Sequence, residues 1–222
     1  MFFRIKMNIK QITICIIFAF FFHSASFAAS DDNKLKNEKH ELLKIIENDR
    51  FLGNKNAKIL LIEYSSLGCP HCAEFHINTL PKLKENYIDK DLLVYVHRNF
   101  PTNKQSLTAS MLASCNNNYF SFLHGLFLSQ ESWGYSLDFE KSLCNIAKLS
   151  GMEKIDFDRC VNDSILKDRI YKDAFKASKI LEINATPVFF LNGERIDGSV
   201  EYNVLASKID ARIKLYKAAR SE

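Results

Sequence analysis

The chain has 222 residues, of which 47% are hydrophobic, enough for one full core or for one domain that carries an insertion. Its formal net charge of +4 falls to about +1 (27 basic against 26 acidic residues) when Arg4, Lys6 and Lys10 are set aside with the N-terminal segment. A balance so close to neutral excludes any inference of nucleic-acid binding from charge.

Residues 1–28 have the organisation of a secretory signal peptide. Basic residues precede an apolar run at 12–22, and small residues lead up to Ala28, after which we expect cleavage. The apolar run is short for a membrane span, so we favour a cleaved signal over an uncleaved anchor. Export would place the mature chain in an oxidising compartment, where disulfide bonds persist.

The next elements are a leader, a strand and a helix. Residues 29–56 are polar and charged, and we expect a short helix and a leader segment there. The apolar run Ile59 to Tyr64 predicts a buried strand, and the pattern from Pro70 to about Tyr87 predicts a helix. Pro81 falls inside that helix and should kink it.

Leu92 to Phe100 predicts a second core strand, ended by a proline. His97 and Arg98 lie near its end, where we expect a solvated strand end rather than a position facing a site. Residues 105–182 carry almost no strand signal and show four apolar helical faces. They predict a helical insert between two strand-bearing halves.

The last part of the chain predicts a β-hairpin and a helix. Val188 to Leu191 and Glu194 to Asp197 flank the turn pair Asn192-Gly193, which is typical of a tight hairpin. An amphipathic helix follows from about residue 201 to 219.

The motif Cys69-Pro70-His71-Cys72 lies at the junction of the first strand and the helix. Cys69 occupies an N-cap position and Pro70 suits the first helical position, so backbone N–H groups can stabilise a Cys69 thiolate. A protonated His71 would add a second favourable charge. If the pKa of Cys69 falls by about four units from ~8.5, the thiolate is stabilised by roughly 5–6 kcal/mol. We expect Cys69 to be the nucleophile and Cys72 the resolving thiol of a redox-active disulfide.

A zinc half-site is the alternative reading of the same motif. It would use Cys69 and Cys72 with His71 or His76. A structural zinc site needs four ligands, usually two pairs, and the sequence shows no second pair. We therefore predict no metal.

Taken with the downstream stretch Thr186 to Gly193, the motif resembles that of the DsbA family of bacterial periplasmic disulfide oxidases. The stretch Leu61 to Tyr64 before the motif is similar to the family as well, and the resemblance covers essentially the whole mature chain. It implies an α/β, thioredoxin-like fold with an inserted helical domain. The implied boundaries are 57–104 and 183–222 for the thioredoxin-like domain and 105–182 for the insert.

The resemblance also implies an activity and a setting. Such proteins act as monomers in the periplasm, need no cofactor, and donate their disulfide to reduced or unfolded exported proteins. A quinone-linked membrane partner of the DsbB type then reoxidises them. The alternatives are a disulfide isomerase or reductase, and a non-catalytic CxxC module that binds metal.

Two further positions follow from the resemblance. Pro187 should follow a cis peptide bond beside the cysteines, leaving Thr186 with free backbone groups for a substrate chain. The sequence has Ala185 where related chains often have glycine. Glu63 should be a buried carboxylate with a raised pKa that shuttles a proton to or from Cys72. A solvent-facing position for Glu63 is the alternative.

Three cysteines remain in the mature chain besides the motif. Cys115 and Cys160 both lie in the insert, each beside an apolar helical face, and we predict a structural disulfide between them. Cys144 would then be a buried free thiol. The alternative is three unpaired core thiols.

Overall fold

The computed structural model describes residues 33–219, so the predicted signal peptide lies outside the described residues. The described residues fall into two units, with the boundary between Glu41 and Leu42. A helix covers residues 33–42. Within residues 33–219, no helix combines the length and apolar character that crossing a bilayer would need.

The second unit contains a mixed β-sheet. Its strands in chain order are β1 (Arg50–Leu52), β2 (Ile59–Ser65), β3 (Leu93–Asn99), β4 (Val188–Leu191) and β5 (Glu194–Asp197). They are arranged in the order β1-β3-β2-β4-β5. β2 and β3 are parallel, whereas the other three neighbouring pairs are antiparallel. This α/β architecture is the one that the sequence analysis predicted.

β1 corrects one prediction. The sequence analysis assigned residues 29–56 to a helix and leader, but Arg50–Leu52 pairs with β3 as part of the sheet. Three residues are too few to show the alternation of apolar and polar side chains by which a strand is recognised. The hairpin of β4 and β5 has the predicted bounds because Asn192 and Gly193 both adopt positive φ, as a tight turn requires.

Eight helical segments follow β1 within the described residues. They are α1 (residues 70–88), α2 (Lys104–Cys115), α3 (Tyr119–Leu128), α4 (Gln130–Gly134), α5 (Phe139–Leu149), α6 (Lys154–Val161), α7 (Ser164–Leu181) and α8 (Tyr202–Ala218). α1 alternates α and π turns, and its π turn Phe75–Thr79 directly precedes the turn that contains Pro81. The wider turn fits the missing N–H of the proline.

The two faces of the sheet are buried against different helices. One face packs on α1 and α8 through residues such as Leu61, Leu93 and Phe189. The opposite face packs on α7 through Ile62 and Val96. α2 to α7 lie between β3 and β4 in the chain, and the core of these helices also contains Leu67, Cys72 and Ala73 of the motif region. The motif thus packs into the helical insert, whereas later residues of α1 such as Phe75 pack on the sheet.

Arg98 is buried rather than solvated, which corrects a second prediction. Its guanidinium donates two hydrogen bonds of 2.8 Å to the carboxylate of Asp49. It also donates to the carbonyl oxygens of Leu42 and Lys44 and to the hydroxyl of Tyr64. These contacts hold the segment 42–49 against β3, so partners distant in sequence bury a strand end that looks exposed in the sequence.

The structure joins Cys115 to Cys160 in a disulfide, which links the end of α2 to α6. Cys144 is a free thiol and is buried in the insert.

The sheet has short edges. β1 contributes three residues at one edge, and β5 contributes four at the other. On β5, Glu194 forms ion pairs with Lys208 and Arg212 of α8, and Arg195 pairs with Asp197.

Candidate active site

Cys69 occupies the N-cap of α1. Its backbone is extended (φ −93°, ψ 121°), and Pro70 follows at the start of the helix. The Cys69 N–H donates to Ser66 at 3.0 Å, and the Cys69 carbonyl accepts the first helical hydrogen bond from Ala73 at 3.1 Å. The Cys69 side chain therefore lies at the N-terminus of α1, near the backbone N–H groups of the first turn.

The pKa of Cys69 is lowered from 9.0 to about 5. The largest cause is the hydrogen bond with the Cys72 thiol, and it outweighs the opposing effect of burial. A side-chain hydrogen bond with Thr186 and the backbone N–H groups of Cys72 and His71 lower the pKa further. Cys69 is therefore a thiolate at neutral pH.

Cys72 has the opposite character. Its side chain has no exposed surface, and its pKa is raised well above 9.0, chiefly by burial. The neighbouring Cys69 and the negative charge of Glu63 raise it further. The two sulfurs therefore differ in both acidity and access, which suits one for attack by an incoming thiolate and the other for holding a proton.

The loop before β4 lies beside Cys69. The Thr186–Pro187 peptide bond is cis, and the Cys69 sulfur lies 3.2 Å from the Thr186 carbonyl oxygen, to which it can donate only while it is protonated. The Cys69 thiolate has no proton to donate, so this contact does not hold the Thr186 carbonyl at neutral pH, and the free backbone groups of Thr186 stay a prediction.

His71 is largely exposed, and its ring lies 3.6 Å from the Glu74 carboxylate. Its contribution to the Cys69 thiolate comes from the backbone N–H.

Glu63 lies at the centre of a buried polar cluster. Its Oε2 atom is 2.9 Å from Nε2 of His76 and accepts a hydrogen bond from the Tyr95 hydroxyl. Glu63, His76 and Tyr95 are at most 2% exposed, and the ring of Phe127 stacks on His76 at 4.2 Å. Glu63 is therefore buried, as its apolar neighbours in the sequence predicted.

The predicted direction of the Glu63 pKa was wrong. Burial raises it, but attraction and hydrogen bonding from His76, with a smaller contribution from the Tyr95 hydrogen bond, leave the pKa below 4.5. Glu63 is therefore ionised at neutral pH. Its charge helps keep Cys72 protonated rather than serving as a store for the proton.

His97 is also buried, which corrects the prediction of a solvated strand end. It pairs in register with Glu63 across β2 and β3, and its Nδ1 atom hydrogen-bonds the Tyr119 hydroxyl at 2.7 Å. Burial lowers the pKa of His97 to about 3, so its ring is neutral.

Sequence reasoning missed the roles of His76 and Tyr95. His76 follows Cys72 by four positions, a spacing that places both on one side of a helix and that could have indicated a position near the site. Among residues 33–219, no group of three or more His, Cys, Asp or Glu side chains is arranged to hold a metal ion.

The sheet, the N-capping thiolate, the buried second thiol and the neighbouring cis-proline define a thioredoxin-like thiol–disulfide oxidoreductase. Residues 46–211 match the family model described as Thioredoxin. The chain belongs to this family, and its structural relatives include DsbA proteins.

Two relatives from Rickettsia carry the name protein-disulfide oxidoreductase. The Rickettsia bellii protein is 36% identical over 174 residues, which cover 77% of this chain and 67% of that protein. The Rickettsia conorii protein is 33% identical over 177 residues, covering 78% and 64%. The chain thus spans about two thirds of the length of these relatives.

Two solved structures share the fold. Alpha-DsbA1 of Wolbachia pipientis superposes with a TM-score of 0.76 at 37% identity, covering 82% of this chain and 98% of that protein. Oxidised BdbD of Bacillus subtilis gives a TM-score of 0.68 at 21% identity, over 77% and 96% of the two chains. The second similarity shows the fold alone.

Proposed function

We propose that the chain is a dithiol oxidase that transfers a Cys69–Cys72 disulfide to exported proteins. The observation that carries this proposal is the low pKa of Cys69, about 5. A stabilised thiolate favours the reduced enzyme, so the disulfide form gives up its oxidising equivalents readily. The stabilisation amounts to about 5 kcal/mol at most, and solvent at the partly exposed sulfur reduces it.

The reaction consists of two exchanges. A substrate thiolate attacks Cys69, the Cys69–Cys72 bond breaks, and Cys72 leaves and takes up a proton. A second substrate thiolate then attacks the substrate sulfur of the mixed disulfide and releases Cys69 as a thiolate. The substrate loses two electrons, and the enzyme ends as a dithiol. The low pKa of Cys69 makes it a good leaving group in the second exchange, which favours release of oxidised product.

Each motif residue has a role in this proposal. Pro70 starts the helix that stabilises Cys69, and His71 contributes its backbone N–H. Thr186 and Pro187 form the edge against which an extended substrate would lie. The negative charge of Glu63 raises the pKa of Cys72 and so favours its protonated form.

The setting follows the family resemblance. We infer that the chain is exported to the periplasm as a monomer by a cleaved signal at residues 1–28. A quinone-linked membrane protein of the DsbB type would reoxidise it. Residues 57–104 with 183–222 would form the thioredoxin-like domain, and residues 105–182 the inserted helical domain.

The direct test is catalysed oxidation of a reduced, unfolded protein that contains one native disulfide. We expect the oxidised wild type to form the disulfide faster than the Cys69→Ala variant. The Cys144→Ala variant should form it at the wild-type rate. Cys144→Ala is the matched control, because it removes a buried thiol outside the motif. Equal rates for wild type and Cys69→Ala would reject the enzymatic function.

A second assay separates an oxidase from an isomerase. A substrate with scrambled disulfides is incubated with the reduced enzyme, and recovery of native activity is followed. We expect little recovery, because the proposed enzyme acts from its oxidised form. Efficient rescue of the scrambled substrate, with weak oxidation of the reduced one, would favour an isomerase.

A further inference from the structure

Gln130 links the helical insert to the loop that carries Cys69. It is the first residue of α4 and its side chain is 6% exposed. Its Nε2 atom donates to the carbonyl of Leu67 at 2.6 Å and to the carbonyl of Cys69 at 3.1 Å. One buried amide therefore holds two carbonyls of the same short loop, including that of the nucleophile itself.

The position of this amide is itself fixed. Trp133, one turn further along α4, has no exposed surface, and its indole N–H donates to the carbonyl of Leu126 in α3 at 3.0 Å. α4 is thereby tied to the preceding helix. Gln130 therefore extends from a rigid support, and its two hydrogen bonds restrain the loop rather than adapting to it.

A second element, α2 with its N-cap, also restrains the loop. The Ser66 hydroxyl lies 3.0 Å from that of Thr102. A Cβ atom at Gly68 would lie 3.2 Å from Cβ of Ser106 and 3.3 Å from Nδ2 of Asn103, so α2 and its N-cap approach the loop closely. The loop is therefore in contact with α2 as well as hydrogen-bonded to Gln130, so two helices of the insert restrain it.

The Cys69 carbonyl is the critical contact. It accepts the first hydrogen bond of α1, from Ala73, in addition to the one from Gln130. Its direction fixes ψ of Cys69 and with it the place of the sulfur over the N–H groups of His71 and Cys72. We propose that Gln130 is the positioning residue through which the helical insert holds Cys69 over the first turn of α1. The proposal deepens the proposed function and rests on it, since it concerns the same nucleophile.

The test is the pH dependence of alkylation of Cys69 in the fully folded, reduced chain. Iodoacetamide modification of the Cys69 peptide is followed by mass spectrometry in the wild type and in Gln130→Met. Methionine keeps the length of the side chain and removes both donors. We expect the midpoint of Gln130→Met to rise by roughly one pH unit, a tenfold weaker acid.

Gln105→Met is the matched control, because Gln105 is half-buried in α2. Its midpoint should equal that of the wild type. A folded Gln130→Met with the wild-type midpoint would overturn the proposal, and so would equal shifts in both variants.

If Gln130→Met does not fold, an NMR titration of the reduced wild type tests the role of Gln130. Side-chain amide resonances of Gln130 should follow the ionisation of Cys69, while those of Gln105 stay constant. A Gln130 amide that does not respond to that ionisation would overturn the proposal. Neither measurement requires turnover. A chain that fails the oxidation assay can therefore still show the Gln130 effect, and an active chain can lack it.

Discussion

Replacing Glu63 by leucine should destabilise the protein strongly. The carboxylate accepts from Tyr95 and contacts His76 at 2.9 Å, and all three side chains are at most 2% exposed. The variant leaves the buried His76 and Tyr95 with only their mutual contact of 3.3 Å, and each group that loses its carboxylate partner costs about 1–3 kcal/mol. Breaking a buried pair typically costs ~3–5 kcal/mol, so we expect the free energy of unfolding to fall by about 4 kcal/mol.

The assay is equilibrium unfolding of the oxidised protein in guanidinium chloride. The chain has one tryptophan, Trp133, which is fully buried and so provides the fluorescence signal. Asp89→Asn is the control, since it breaks the exposed ion pair with Lys84 and should change stability by less than about 1 kcal/mol. The double variant Glu63→Leu/His76→Leu should recover part of the loss, because it also removes the unpaired imidazole.

The pH dependence of the free energy of unfolding tests the role of Glu63 independently. The pKa of Glu63 lies below 4.5, so its stabilisation is present above that value and is lost as the pH falls through the lowered pKa. Glu63→Leu should lack this part of the acid sensitivity. A variant within about 1 kcal/mol of the wild type at pH 7 would refute the reasoning, because the carboxylate would then not satisfy its buried partners.

Two further predictions concern the cysteines. The lowered pKa of Cys69 stabilises the reduced form in full above about pH 9. This stabilisation decreases as the pH falls and is lost below about pH 5. Acidification from pH 7 to below 5 should shift the redox equilibrium with glutathione towards the disulfide by about 2 kcal/mol, roughly thirtyfold, and an equilibrium that does not move would contradict the assigned thiolate. Replacing both Cys115 and Cys160 by serine removes a cross-link over a separation of 45 residues and should lower the free energy of unfolding by about 4 kcal/mol. Chemical denaturation measures that loss, and a change below about 1 kcal/mol would mean that the loop is already ordered in the unfolded chain.

Sequence patterns predicted the elements whose causes are local. The hairpin depends on Asn192-Gly193, and the start of α1 on a cysteine followed by proline, so both could be placed to within a residue. β1 could not be predicted, because its three residues form a strand only when β3 is beside them.

The electrostatics of the site depended on tertiary contacts and were harder to predict. The apolar neighbours of Glu63 in the sequence indicate that it is buried. The direction of its pKa shift, however, is decided by His76, thirteen residues away on another element. His97 and Arg98 were misplaced for a similar reason, since Tyr119 and Asp49 cover them. Local patterns report burial, whereas the partner that decides a charge is known only once the chain is folded.

The short edges of the sheet bear on how such a chain could work among unfolded clients. A protein that meets unpaired extended segments risks having them added to its own sheet. β1 offers three residues for such pairing, and β5 offers four that carry Glu194, Arg195 and Asp197. Brief, charged edges are poor templates for edge-to-edge aggregation. The fold can therefore present one reactive sulfur to aggregation-prone unfolded polypeptides while leaving little unpaired strand backbone to which they could add.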